Sequence, residues 1–302
     1  MKITLRSFAG AACLSAILLI VHSASAQNLY VVNNSNGNLY QITPGGVAST
    51  IATGFNFPND LALNGSGDLF VANSANNVGG NQGSITEIMP GGARSTFASG
   101  IDPQALAFSS SGNLFEADYL SGNIYEFAPN GARSTFASGF TDPIGLAFDS
   151  LGNLFVGSGY GANNGVITKI APGGAQSTFA TGLYFPLGLA FDSTGNLYET
   201  DNGSDNIYKF TLGGARSTFA TLSSQPNKLV FDSTGNMFVS DSAGTVLKIT
   251  PGGSQSIFAT IGGDPVGIII VPEPSIPGFI GMGALVFLAY GRCKKDFARK
   301  KV

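Results

Sequence analysis

The residues able to do chemistry are few, and their placement removes whole reaction classes. The chain of 302 residues has one histidine, His22, and two cysteines, Cys13 and Cys293, all close to its ends. Residues 27–271 contain neither type, so a serine there lacks its usual base and no thiol is on hand as nucleophile. What remains is oxygen chemistry, in which Asp, Glu and Asn could ligate a hard cation such as Ca²⁺ or Mg²⁺. The run Asp201-Asn202-Gly203-Ser204-Asp205-Asn206 has the composition of a calcium loop without EF-hand spacing or flanking helices, and reads as a polar turn. Residues 27–271 carry 7 Lys/Arg against 16 Asp/Glu, a net charge of −9. Phosphate binding needs clustered positive charge, so nucleic acid is not an expected partner.

The two ends read as address labels. Lys2 and Arg6 precede an apolar stretch from Phe8 to Val21, and Ala24-Ser25-Ala26 puts small residues where a signal peptidase cuts. Residues 1–26 are therefore expected to be a signal peptide, with Gln27 opening the mature protein. At the other end Val271-Pro272-Glu273-Pro274-Ser275 leads into an uncharged stretch, 276–290. Residues 291–302 follow, with Arg292, Lys294, Lys295, Arg299, Lys300 and Lys301 against the single acid Asp296. An apolar run closed by basic residues is a stop-transfer arrangement. At ~1.5 Å per residue a helix over 276–290 covers roughly 22 Å of a ~30 Å core, a short and temporary anchor. This tail, 272–302 with its motif at 271–275, resembles the PEP-CTERM sorting signal. The resemblance implies an exosortase-type membrane peptidase as partner, cleavage near Pro-Glu-Pro, transient anchoring in the inner membrane, and an exported product at the cell surface or outside it. It also implies exopolysaccharide as a matrix partner.

Between these labels the chain repeats. Pro-x-x-Leu-Ala-Phe-like elements start at Pro58, Pro103, Pro143, Pro186, Pro226 and, more weakly, Pro265, spaced 45, 40, 43, 40 and 39 residues apart. A Gly-Asn-Leu-Phe-like element follows each of the first five, its sixth copy being Asn28-Leu29-Tyr30 at the start of the mature chain; an Ile-x-x-Ile-like element usually closed by Pro-Gly-Gly comes next, then Ser-Thr-Phe-Ala or a variant of it. Each reads as a short strand of alternating large side chains, with Gly, Asn, Asp or Pro at the joints. Four strands per repeat and six repeats predict an all-β, six-bladed propeller over 27–271. The count closes only if Pro265–Val271 supplies the innermost strand of the blade begun by residues 28–55. That pairing removes an exposed sheet edge. Phe97, Phe136, Phe179, Phe219 and Phe258 recur once per blade, as do Phe108, Phe148, Phe191 and Phe231, and are predicted to be inter-blade core. The first-to-second and third-to-fourth turns share one face and are nearly uniform. The loops around Asn73–Ser84 and Gly157–Val166 lie on the opposite, variable face, where binding is expected.

The pattern Pro-x-Gly-Leu-Ala-Phe-Asp-Ser-x-Gly-Asn-Leu-Phe-Val, clearest at residues 143–156, resembles NHL repeats and the related gluconolactonase-like propellers. The resemblance implies a metal at the mouth of the central channel, held by one acidic residue, two asparagines and an aspartate. The positions of this chain that match are Asn59 and Asn227, each after a blade proline, and the strand-end Asp118, Asp201 and Asp241. The family's first-strand glutamate has no counterpart, because Ile144, Leu187 and Val266 stand there, and Lys228 sets a positive charge beside Asn227. The expected function is a non-enzymatic binding or structural module for glycan or protein, with no catalytic residue, metal or cofactor. The alternative is a metal-dependent, gluconolactonase-like hydrolase or lyase using Ca²⁺ or Mg²⁺.

Overall fold

The computed structural model describes residues 27–74 and 82–271. The signal segment, the sorting residues Pro272–Ser275, the 276–290 stretch and the basic end lie outside the described residues, as does part of the loop after Asn73.

Six four-stranded antiparallel sheets form the blades, and in each the strands run in sequence order from the axis outward, except in the blade that joins the termini. The innermost strands of blades 2 to 6 are Pro58–Leu63, Pro103–Phe108, Pro143–Phe148, Pro186–Phe191 and Pro226–Phe231. In blade 1 the innermost strand is Pro265–Val271, paired antiparallel with Asn28–Asn33, and Asn38–Ile42 and Ala48–Ala52 complete the sheet. The register Leu29↔Ile270 and Val31↔Ile268 closes the ring as the repeat count requires.

The seams between blades are filled by aromatic triads. Phe70 meets Phe97 of its own blade and Phe108 of the next, edge to face, with ring centroids 5.1 Å apart in both pairs. Phe115 with Phe136 and Phe148, Phe155 with Phe179 and Phe191, and Tyr198 with Phe219 and Phe231 repeat the arrangement. Edge-to-face rings are favoured by the aromatic quadrupole, and each triad staples one blade to its neighbour. The recurring phenylalanines are therefore core, as their once-per-blade spacing predicts.

The turn face is uniform. Asp149, Asp192 and Asp232 each accept backbone N–H bonds from residues two and four positions on, which fixes the first-to-second turns. The opposite face is shaped by the blade prolines. A proline has no N–H for the ladder, and in every innermost strand the register slips just after it. Such a bulge re-aims the side chains beside it. Here those residues surround the mouth of the channel.

Candidate functional site at the channel mouth

Two residues per blade follow the proline and ring the axis. In the second position stand Ala105, Gly145, Gly188 and Gly267, and their blades come so close that larger side chains are excluded. A Cβ on Gly188 would lie 2.8 Å from the Asn227 carbonyl oxygen, and one on Gly267 would lie 2.8 Å from Asp60 Cα. The two exceptions are Asp60 and Lys228, and they meet. Lys228 Nζ lies 3.5 Å from Asp60 Oδ2 and donates a 2.9 Å hydrogen bond to the Ile144 carbonyl. Lys228 belongs to blade 6, Asp60 to blade 2 and Ile144 to blade 4. A group touching three alternate blades of six stands on the axis, so this side chain crosses the channel. Burial pushes the Lys228 ammonium below the usual lysine range, and Asp60 works against that shift. Asp60 also accepts the N–H of Leu61 at 2.9 Å and of Leu106 at 3.0 Å, so its charge is well provided for.

In the first position the mouth divides into a polar and an apolar part. Asn34 donates to Asn59, and Asn59 donates to Gln104, each at 2.9 Å. Asn202 donates to Asn227 at 3.1 Å, and Asn227 donates to Asp264 at 3.0 Å and to the Pro265 carbonyl at 2.8 Å. Two amide chains thus run along the rim. Leu187 and Val266 are half-buried apolar counterparts, and Ile144 is buried at 2% exposure instead of lining the mouth.

The strand-end aspartates are loop anchors. Asp118 accepts the N–H of Asp102 and of Ser121 at 2.8 Å each, Asp201 accepts that of Tyr184 at 2.9 Å, and Asp241 takes Ser224, Thr245 N–H and the Thr245 hydroxyl. Among the described residues no three acidic, histidine or cysteine side chains come together as metal ligands. Asn59 and Asn227 bond to their own neighbours, and the axis between them carries an ammonium. The described side chains therefore do not fit the oxygen cage that the family resemblance implies.

Sequence reasoning missed three buried acids. Asp60 is one. Glu116 and Glu199 are the others, both 0% exposed, with no hydrogen-bond partner for either carboxylate oxygen among the described residues. Burial, and then Asp118, pushes the Glu116 carboxyl well above its ordinary value, and burial with Asp201 does the same for Glu199. At the mouth, burial and Asp118 raise Asp102 to about 6, against a hydrogen bond from Gln104.

An aromatic arc borders the apolar part. Tyr160, 60% exposed, packs on Phe185 at 5.0 Å and on Tyr184 at 6.0 Å between ring centroids. Tyr184 lies flat on Gly203, where an added Cβ would fall 1.7 Å from its ring, so only glycine allows that pose. Burial, followed by the Asp142 and Asp102 charges, raises the Tyr119 hydroxyl. Asp142 holds φ at +48°, uncommon outside glycine and of the kind found at functional sites. Two cavities, about 200 Å³ at the turn face beside Asp232 and about 270 Å³ beside Asn73 and Arg94, lie away from the axis.

No protein-family model matches the chain, and no curated protein sequence matches it. Solved structures do. A provisionally assigned gluconolactonase superposes with TM-score 0.63 at 18% identity, over 72% of this chain and 82% of its own. Regucalcin from Agrobacterium tumefaciens, described as a calcium-binding protein, gives TM-score 0.61 at 15% identity over 71% and 78%. Virginiamycin B lyase from Staphylococcus aureus gives 0.59 at 12% over 83% and 93%. These likenesses define the class of the fold, a β-propeller, which in this chain has six four-stranded blades.

Proposed function

We propose that this is an exported propeller that binds a neutral, saccharide-like ligand on its mouth face. The observation that carries the reading is the pairing of an aromatic arc, in which Tyr160 is exposed and Tyr184 and Phe185 are half-buried, with a rim of amides. A sugar ring offers a C–H face to aromatics and hydroxyls to amides, and variable loops on a rigid ring are where sites are grafted. The net charge of −9 over 27–271 disfavours an acidic polymer. A panel of neutral and acidic oligosaccharides tests it. Neutral ligands should bind, and Tyr160→Ala should weaken binding about tenfold, the equivalent of ~1.4 kcal/mol of stacking. Binding indifferent to that substitution would remove the site.

A second reading, a hydrolase or lyase, is the one the names of the structural neighbours favour over a plain binding module. Its support among the described residues is Asp102, a 1% exposed carboxyl that burial and Asp118 raise to about 6, within the range of a general acid or base. Turnover of lactone or cyclic-ester substrates, lost in Asp102→Asn, would make it the leading one.

Export and sorting rest on the two ends of the sequence. The reading is that signal peptidase releases Gln27, the 276–290 stretch holds the protein briefly in the inner membrane, and an exosortase-type peptidase cuts near Pro272–Ser275. Intact-mass measurement on surface-released protein should give a chain beginning at Gln27 and lacking the basic end. Recovery of Lys300-Lys301 on released material would refute it.

A further inference from the structure

We propose that the axis of this propeller is a cation site filled from within, with the Lys228 ammonium in the place of a bound ion between Asp60 and the Ile144 carbonyl. The surroundings are those a cation requires. The ammonium has a carboxylate oxygen at 3.5 Å and a carbonyl oxygen at 2.9 Å. Ala105, Gly145, Gly188 and Gly267 present nothing beyond a Cβ at the same ring position, so backbone is what faces the axis there. Hard cations and ammonium groups share this taste for oxygen. Asp60 itself needs a positive partner: it is 8% exposed, and Lys228 is the cation that pairs with it among the described residues. Two N–H donors from separate strands, Leu61 and Leu106, keep its carboxylate oriented towards the axis whether or not the lysine is there.

The lysine is also held at its backbone. Its backbone N–H donates to Ser240 Oγ at 3.2 Å, and Ser240 Oγ in turn donates to the Val266 carbonyl at 2.9 Å, which fixes the strand from which the side chain departs. The charge is therefore supplied covalently and at unit occupancy, without dependence on the concentration of any ion. This inference is independent of what the mouth face binds.

Truncation tests it. Lys228→Ala keeps Cβ and removes a fragment equivalent to n-propylammonium. The variant should melt below the parent protein, and added n-propylammonium should raise its melting temperature in a saturable way, as a ligand bound only by the folded state does. Neutral n-propanol should not do so, and n-propylammonium should leave the parent protein unchanged. Recovery of folded Lys228→Ala only in the presence of n-propylammonium would support the proposal equally. Lys228→Met fills the space without charge and should melt low and resist rescue. The proposal is overturned if Lys228→Met is as stable as the parent. It is overturned equally if n-propylammonium acts no better than n-propanol.

Discussion

At the scale of single residues, the pair Asp60–Lys228 and the acids Glu116 and Glu199 carry most of the electrostatic cost of this fold. Breaking a buried ion pair from one side leaves a charge with no counterion. Lys228→Met should therefore cost about 3 kcal/mol, roughly 6–12 °C in melting temperature for a domain of this size. Asp60→Asn removes the stranded charge but keeps an acceptor for only one of the Leu61 and Leu106 N–H groups, which bond different oxygens of Asp60. Combined with Lys228→Met it should recover part of the loss in thermal melts. Additive losses would show that the two side chains do not interact. The glutamates act with pH. Each is raised in the fold above its unfolded value, ~4.3, so it contributes no penalty below that pH. As pH rises, the unfolded chain ionises first and stability falls by about 1.4 kcal/mol per unit for each glutamate, until the folded value is passed. Val31, Val71, Val156 and Val239 occupy the same repeat position in the other blades, each at 0% exposure. The double variant Glu116→Val with Glu199→Val should gain on the parent increasingly as pH rises above the unfolded glutamate value of ~4.3 in denaturant titrations. A constant difference across that range would mean that both side chains are ionised in the fold. These acids were legible only as departures from a repeat, Glu where the other blades have Val. Asp60 was not legible at all, since its partner lies across the ring and local spacing carries no sign of it.

At the scale of elements, the reading from sequence succeeded because four strand patterns recur six times. Each repeat restates its strands and turns, so an error in one blade is corrected by the other five. The shared blade followed from counting: residues 28–55 lack a first element and residues 265–271 have nothing after them in the domain. The structure pairs them, Asn28↔Val271 through Asn33↔Pro265. What the repeat could not reveal is the bulge after each proline, because register is a property of two strands and not of one sequence segment. Ring closure makes a direct prediction. A chain ending at Gly262 loses the innermost strand of blade 1 and exposes the apolar side of Asn28–Asn33. It should lose cooperative melting or melt far lower than one ending at Val271. Equal melting temperatures would contradict the shared blade.

At the scale of the whole molecule, a closed ring with a uniform turn face and a varied mouth face has one surface on which function can differ from its structural neighbours. The neighbours share the scaffold, and one of them, regucalcin, is described as a calcium-binding protein. The residues of this mouth pull away from a metal: its amides bond to one another, its strand-end aspartates anchor loops, and an ammonium stands on the axis. The central claim is that the mouth works without a metal ion. Isothermal titration of chelator-stripped 27–271 with Ca²⁺, Mg²⁺ and Mn²⁺ tests it most directly. No saturable binding of any of the three is expected at millimolar concentration. Micromolar binding of one of them, abolished by Asn227→Ala, would contradict it.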